Sequence, residues 1–337
     1  MTPKVSIICI TYNQEKYVRQ ALDGFVMQKT NFPFEVIIHD DASTDKTADI
    51  IREYQAKYPE IIKPIYQTVN QFSQGKDPII HFMLDKIQGQ YVAINEGDDY
   101  WTDENKLQKQ ADFLDAHPDF SVCFHPVRVV WEDGSAPDSI FPTPSFRFHK
   151  DVLDINDLLK HNFIQTNSVM YRWCLTKEQY PSKRFLPCDY FWHLIHAKQG
   201  KIGFLPDVMA VYRRNQGGIW WGAMQSDAWF EKYAVAHLRF CKILQECFGA
   251  DETEQLQTIG AKTVQHFVRL KKWDKLQELA DEFADDWNNF CQNTQNQEVA
   301  LKNKKIKRLR RKNKVLQLCL IFALIIIIII TMIFLKG

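Results

Sequence analysis

The chain has 337 residues, of which 45% are hydrophobic and 25% charged, and this composition excludes a disordered protein. Ten of the 42 basic residues lie within 302–337 and all 41 acidic residues precede them, so residues 1–301 carry a formal charge of −9. A body this acidic argues against nucleic acid as the main partner, because binding to phosphates needs a basic face.

The first 130 residues alternate strand and helix signals. Apolar, β-branched runs predict strands at 5–10, 34–39, 61–66 and 91–95, and helical spacing predicts helices at 15–28, 43–57, 78–87 and 105–117. This alternation predicts an α/β fold with a doubly wound, mostly parallel sheet, whose ligands bind at the carboxyl ends of the strands. The loops expected at that edge are 11–14, 40–45, 70–76 and 96–101.

The remainder of the chain changes character twice. A mixed region contains a further predicted strand at 201–211, and helical spacing begins near residue 226. The predicted organisation is therefore a first domain at 1–225, a helical extension at 226–301, a basic segment at 302–314 and a transmembrane helix at 315–335.

The predicted transmembrane helix rests on 21 consecutive residues without a charge, which matches the roughly 20 needed to cross a bilayer core. Nine basic residues lie immediately before it and favour the cytoplasmic side. The N-terminus carries no apolar signal segment, and the cysteines show no CxxC pair. We therefore expect a C-terminal anchor in the inner (cytoplasmic) membrane, with the catalytic body in the cytoplasm.

The segment 96–101, Glu-Gly-Asp-Asp-Tyr-Trp, places three acids within four residues directly after a predicted strand. Such carboxylates repel one another unless a cation lies among them, and hard oxygen ligands suit Mg²⁺ or Mn²⁺. The alternative is a solvated acidic turn without a metal.

Two further polar segments follow predicted strands. Residues 40–45, Asp-Asp-Ala-Ser-Thr-Asp, can bind a nucleobase or ribose, or can simply cap a helix. Arg213 and Arg214 can bind phosphate oxygens, or can form surface ion pairs. Asp189 stands among aromatic and apolar neighbours, which favours a raised pKa and a role as a base, although a helix N-cap explains it equally simply.

Taken together, these motifs resemble glycosyltransferase family 2, whose members have the nucleotide-sugar-binding GT-A fold. The resemblance covers about 3–222 and is carried by the segments 3–8, 11–13, 40–45 and 96–101, followed by Asp189 and the segment 212–220. Within the family, the bacterial cell-surface polysaccharide members are the most similar. Two positions depart from the family pattern, since Asn215 stands where His is usual and Glu96 where Asp is usual.

The resemblance implies a role for each matching position. Thr11 and Tyr12 would hold the donor base, and Asp40, or with slightly less support Asp41, would contact the base or ribose. Glu96 would touch the ribose, Asp98 would ligate the metal with the help of Asp99, Arg213 or Arg214 would meet the diphosphate, and Asp189 would be the catalytic base.

The predicted function is an inverting glycosyltransferase that moves a sugar from a nucleotide-sugar, with a UDP-sugar as the favoured donor, to a hydroxyl of a glycan or polyprenyl-linked oligosaccharide in bacterial surface polysaccharide synthesis. The expected cofactor is Mn²⁺ or Mg²⁺, and the expected partners are the donor, the acceptor and the membrane. A non-catalytic nucleotide- or glycan-binding scaffold of the same fold is the alternative. A nucleotidyltransferase is disfavoured, because 11–14 contains neither Gly nor Arg.

Overall fold

A computed structural model of the chain describes residues 2–143, 152–215 and 226–295. These residues form two compact units, Met1–Ser226 and Asp227–Gly337. Three predicted segments lie outside the described residues. They are the basic segment at 302–314, the transmembrane helix at 315–335, and residues 217–220 (Gly-Gly-Ile-Trp) of the segment 212–220. Within those described, no helix combines the length and the apolar character needed to cross a membrane.

The first unit contains eleven described strands and five described α-helices. The strands are β1 (Val5–Thr11), β2 (Phe34–Asp40), β3 (Ile62–Tyr66), β4 (Tyr91–Glu96), β5 (Tyr100–Trp101), β6 (Phe120–Phe124), β7 (Val127–Trp131), β8 (Ser139–Phe141), β9 (Met170–Arg172), β10 (Lys201–Phe204) and β11 (Ala210–Arg214). The helices are α1 (Val18–Val26), α2 (Thr47–Lys57), α3 (Lys106–Ala116), α4 (Ile155–Lys160) and α5 (Cys188–Ala197).

Seven strands form the main sheet, in the order β10-β6-β9-β4-β1-β2-β3. Strand β1 is parallel to both of its neighbours, β2 and β4, whereas β9 is antiparallel to both β4 and β6. The predicted α/β class is therefore confirmed. The pairs β1–β2, β1–β4, β2–β3 and β6–β10 are parallel, so the sheet is mostly parallel as predicted, and the antiparallel strand β9 makes it a mixed one.

A second sheet of four strands, in the order β5-β11-β7-β8, was not predicted. The strand region predicted at 201–211 contains two strands that belong to different sheets. Pro206 lies in the break between β10, which pairs with β6, and β11, which pairs with β5 and β7. The segment predicted as a helix at 78–87 consists of a π-helical turn, Ile79–Met83, and a 3₁₀ turn, Leu84–Lys86.

The core of the first unit lies on the central strands. The inward residues Val5, Ile7 and Cys9 of β1 are fully buried, and Leu22 and Phe25 of α1 belong to the same hydrophobic cluster. Apolar burial of this kind fixes the register of the strands, because a shift by one residue would turn every buried side chain to the opposite face. The rigid sheet thereby holds the strand ends, and the loops that follow them, in place.

The second unit is helical, as predicted. It contains α6 (Asp227–Phe248), α7 (Thr253–Arg269) and α8 (Trp273–Glu282), and residues 284–295 are also helical. Its own core includes Leu238 of α6, Phe267 of α7 and Phe290. A Cβ at Gly260 would collide with the ring of Phe290, so the absence of a side chain at Gly260 allows α7 to pack closely against 284–295.

Candidate active site

The ends of β1 and β2 bring the first two predicted donor-binding residues together. Thr11 and Asp40 are paired in the register of these parallel strands. The Thr11 hydroxyl donates to the His39 carbonyl oxygen at 3.1 Å, and Asp40 Oδ2 accepts from the Ser43 N–H at 3.2 Å. Tyr12, the next residue, is 46% exposed, so its ring is available for stacking.

The two loops that follow these strands are hydrogen-bonded to one another through Asn13. Its N–H donates to Ser43 Oγ at 2.9 Å, and its Oδ1 accepts from the Thr44 N–H at 2.7 Å. Asn13 and Ala42 both adopt the left-handed backbone region, at φ values of 52° and 62°. Such conformations are costly for a residue with a side chain and cluster at binding sites.

Asp41 is placed differently from Asp40. Its two carboxylate oxygens accept hydrogen bonds from the Gln71 N–H at 2.7 Å and the Phe72 N–H at 3.0 Å. The carboxylate therefore orders the loop that follows β3. Asp41 thus binds main-chain N–H groups next to the predicted donor site, whereas Asp40 lies at the end of β2.

The acidic motif, defined here as residues 96–101, turns sharply at the end of β4. The Asn95 side-chain amide donates to the carbonyl oxygens of Glu96 at 2.6 Å and Asp99 at 3.1 Å, which closes the turn. A Cβ at Gly97 would lie 2.5 Å from Thr11 Cγ2, so only glycine fits here. Asn95 was not predicted as a site residue, although its position at the end of a buried strand was a usable signal.

The two aspartates of the motif are held by β11 and by the residue that follows it. Asp99 is buried, and its Oδ1 accepts from the Arg213 N–H at 2.8 Å. Asp98 Oδ2 accepts from the Asn215 amide at 2.7 Å. Asn215, which stands where the family usually has His, thus reaches the predicted metal ligand directly.

Burial and mutual repulsion raise the pKa values of all three acids. The pKa of Asp99 lies well above its usual range because of burial, followed by the charges of Asp98 and Glu96. Burial also raises the pKa of Asp98, and the hydrogen bond from Asn215 opposes that rise. The pKa of Glu96 rises to about 8 through loss of hydration, then through Asp98 and Asp189.

These residues fit a divalent cation. Asp99 Oδ2 is buried without a hydrogen-bond partner, which is costly unless a donor or a cation is bound there. Among the described residues, no three acidic, His or Cys side chains converge as a complete ligand set. Mg²⁺ in such sites is commonly held by one or two carboxylates, with substrate oxygens and water as the other ligands, and Asp98 and Asp99 could supply those carboxylates.

Asp189 lies in the first turn of α5, and its Oδ2 accepts from the Thr166 hydroxyl at 2.9 Å. Burial raises the pKa of Asp189, and the hydrogen bond from Thr166 opposes the rise. Because the charge of Asp189 contributes to the raised pKa of Glu96, the two carboxylates are within electrostatic reach of one another. Thr166 was missed by sequence reasoning, since no motif marks it.

The two arginines of β11 are oriented by aromatic rings. The Arg213 guanidinium lies 4.7 Å from the ring centre of Tyr17 and 5.1 Å from that of Tyr100, and it donates to Gln20 Oε1 at 2.6 Å. The Arg214 guanidinium lies 4.8 Å from the ring centre of Trp131. Arg213 therefore contacts the acidic motif twice, through its N–H on Asp99 and through its guanidinium on the ring of Tyr100.

Comparison with known proteins places this site in a family. The model of Glycosyl transferase family 2 matches residues 6–176. The chain is 51% identical over 219 residues to an uncharacterized protein of Mycobacterium tuberculosis, an alignment covering 65% of this chain and 61% of that protein. It is 31% identical over 168 residues to the putative teichuronic acid biosynthesis glycosyltransferase TuaG of Bacillus subtilis, covering 50% of this chain and 62% of TuaG. The alignments thus span less than two thirds of either relative.

The fold is also found in a solved structure. Staphylococcus aureus TarS in complex with UDP-GlcNAc superimposes with a TM-score of 0.53 and 22% sequence identity, covering 78% of this chain and 72% of that one. This similarity supports the GT-A type of α/β fold expected from the sequence.

Proposed function

The chain belongs to glycosyltransferase family 2, and we propose that it transfers a sugar from a nucleotide-sugar donor to an acceptor hydroxyl with inversion of the anomeric centre. The observation that carries this proposal is the acidic motif at the end of β4, in which Asp99 is buried and its Oδ2 has no hydrogen-bond partner. The charge of Asp189 contributes to the raised pKa of Glu96 in the same motif.

The donor would bind along the strand ends. Tyr12 can stack on the base, and Thr11 and Asp40 lie beside it to accept or donate hydrogen bonds. The nucleotide-sugar bound by TarS makes a UDP-sugar the first candidate. Arg213 is the favoured contact for the diphosphate, because its guanidinium is already oriented and its main chain holds Asp99.

Asp98 and Asp99 are the residues that would hold Mg²⁺ or Mn²⁺. When bound, such a cation supplies positive charge to the leaving nucleoside diphosphate. Asn215 donates to Asp98 and so favours the ionised carboxylate that a cation requires. The N–H of Arg213 does the same for Asp99.

Asp189 would act as the base. The acceptor oxygen forms a bond to the anomeric carbon while the bond from that carbon to the diphosphate oxygen breaks, and the acceptor proton passes to Asp189. One displacement of this kind inverts the configuration and needs no covalent intermediate. A pKa raised by burial strengthens Asp189 as a base, because the best catalytic bases have pKa values near the working pH.

The test is a panel of UDP-glucose, UDP-galactose, UDP-GlcNAc and GDP-mannose with Mn²⁺ or Mg²⁺, scored by release of nucleoside diphosphate. We expect the wild type to turn over one donor and Asp98→Ala to lose that activity. Asp112→Ala is the matched control, since Asp112 is an exposed aspartate that accepts only a surface hydrogen bond from Gln108. Binding of UDP without turnover, unchanged in Asp189→Asn, would identify the alternative, a non-catalytic nucleotide-binding protein.

The acceptor is proposed to be a lipid-linked glycan of a bacterial surface polysaccharide. Two observations support it. The relative TuaG is a putative teichuronic acid biosynthesis glycosyltransferase, and the sequence has a basic segment at 302–314 followed by an uncharged run at 315–335. A body anchored at the cytoplasmic leaflet would meet lipid-linked acceptors at a raised effective concentration.

Two truncations test the anchor. Removal of 302–337 should release an enzyme that still hydrolyses donor but loses transfer to membrane-borne acceptor, whereas removal of 315–337 alone keeps the basic segment and its attraction to anionic headgroups. Undiminished transfer to lipid-linked acceptor by the longer truncation would refute the role of the anchor.

A further inference from the structure

The 3₁₀ turn Thr166–Ser168 connects the candidate base with the acidic motif. All three of its residues are buried. The main-chain oxygen of Asn167 accepts from the indole N–H of Trp101, the last residue of the motif, at 3.0 Å. The side-chain amide of Asn167 donates to the Val211 carbonyl oxygen of β11 at 2.9 Å. The turn is therefore fixed to Trp101 of the acidic motif and to β11, whose Arg213 N–H binds Asp99.

The same turn reaches α5 through one side chain. Thr166 is 4% exposed, and its hydroxyl donates to Asp189 Oδ2 at 2.9 Å. Because a hydroxyl donor has one proton, this bond ties one carboxylate oxygen of Asp189 in a set direction. Rotation of the Asp189 side chain away from the acidic motif would break it.

The ionisable groups around Asp189 do not favour its charged form. Glu96 of β4 repels it, and Tyr171 of β9 and Cys188 of α5 would repel it if ionised. Among the described residues, no basic side chain lowers the pKa of Asp189. The groups that do favour the carboxylate are the Thr166 hydroxyl and the N–H groups of Asp189 and Tyr190 at the start of α5.

We propose that Thr166 is a positioning residue for the base, which orients the Asp189 carboxylate toward the acidic motif and keeps it ionised for proton transfer. This inference rests on the proposed function, since it assigns Thr166 a part in the same step. It makes the 3₁₀ turn a rigid spacer between the group that receives the proton and the carboxylates beside the leaving diphosphate.

The experiment compares Thr166→Ser with Thr166→Ala in the full chain, because serine and alanine differ there only by the hydroxyl. The readout is the pH profile of kcat/KM for nucleoside diphosphate release from the donor that the panel identifies. Loss of the hydrogen bond should raise the pKa of Asp189, so the acid limb of the Ala variant should move up by about one pH unit. The Ser variant should keep the wild-type profile, and the KM for the donor should be unchanged in both.

Two controls separate the possible failures. Thr166→Val also lacks the hydroxyl but preserves the side-chain volume, so it replaces the Ala variant if that variant does not fold. If Asp189→Asn is inactive while the Ala and Ser profiles coincide, the positioning role of Thr166 is wrong and the base assignment stands. If Asp189→Asn retains full activity, the proposed function of Asp189 itself fails.

Discussion

Lys106 is a buried lysine that packs against the acidic motif, and it allows a test of how burial of one charge changes the free energy of unfolding. It belongs to the first turn of α3, is 0% exposed, and its ammonium group lies 4.1 Å from the ring centre of Trp101 in the acidic motif. The ammonium group donates a hydrogen bond to Gln110 Oε1, a neutral acceptor, at 2.7 Å. Burial lowers the pKa of Lys106 from 10.5 to about 7, and the small opposing effects come from Cys123 and Asp103.

The effect of Lys106 on the free energy of unfolding can be calculated from its lowered pKa, because protonation and folding are linked. A pKa lowered from 10.5 to about 7 corresponds to roughly 5 kcal/mol of unfavourable charging in the folded state. Between these two pH values the unfolded chain binds a proton that the folded chain does not. The free energy of unfolding should therefore rise with pH in this window, by up to about 1.4 kcal/mol per pH unit from this one group. Below about pH 7 both states carry the proton, and the contribution to the slope vanishes.

The assay is urea unfolding of wild type and Lys106→Met at pH 6 to 10, followed by tryptophan fluorescence. Methionine fills the site without a charge, so the variant should be at least as stable as the wild type at pH 6. Above pH 7 the free energy of unfolding of the wild type should rise relative to that of the variant. Every other titrating group is common to both proteins and cancels in the difference. A difference in unfolding free energy that stays constant from pH 7 to 10 would refute the reasoning.

Three further outcomes are expected around the acidic motif. Asn215→Ala should weaken binding of Mn²⁺ in the presence of UDP about tenfold, measured by calorimetry, because Asp98 loses a hydrogen bond to its charged form; equal affinity would contradict this. Gly97→Ala should destabilise the fold by about 1–3 kcal/mol in urea unfolding, because its Cβ would meet Thr11. Without a cation, thermal stability should fall as pH rises from the ordinary carboxylate range toward 8, the pKa of Glu96, because folded carboxylates with raised pKa values lose stability on ionising. Mn²⁺ with UDP should flatten that curve, and an unchanged slope would count against a bound cation.

The sequence was informative wherever local pattern and sheet geometry agree. Buried apolar runs predicted the four strands of the parallel core, and the ends of parallel strands necessarily meet at one edge. That rule predicted that Thr11, Asp40 and the acids Asp98 and Asp99 would lie at the same edge of the sheet. Glycine at position 97 was also interpretable, because a turn that gathers three acids needs a close main-chain approach.

Long-range pairing was beyond the sequence. Strands β5, β7 and β8 have five residues or fewer, and nothing local shows that they pair with β11. The two N–H groups that capture Asp41 belong to residues 30 positions or more away, and Thr166 lies 23 positions before Asp189. A hydroxyl in a short buried turn has no periodicity or charge to mark it, so its partner becomes evident only once the chain is folded.

The second sheet changes how the arginines should be understood. The sequence predicts that Arg213 and Arg214 bind phosphate oxygens or form surface ion pairs, whereas in the structure Arg213 makes two separate sets of contacts. Its main chain pairs in β11 and donates to Asp99, while its guanidinium contacts Tyr17 and Gln20 at the other side of the motif. A shift of β11 would therefore change the ligand environment of the predicted cation and the position of the predicted diphosphate contact together. If Arg213 and the cation act as proposed, the charge that compensates the leaving group would be assembled as a unit rather than from independent loops.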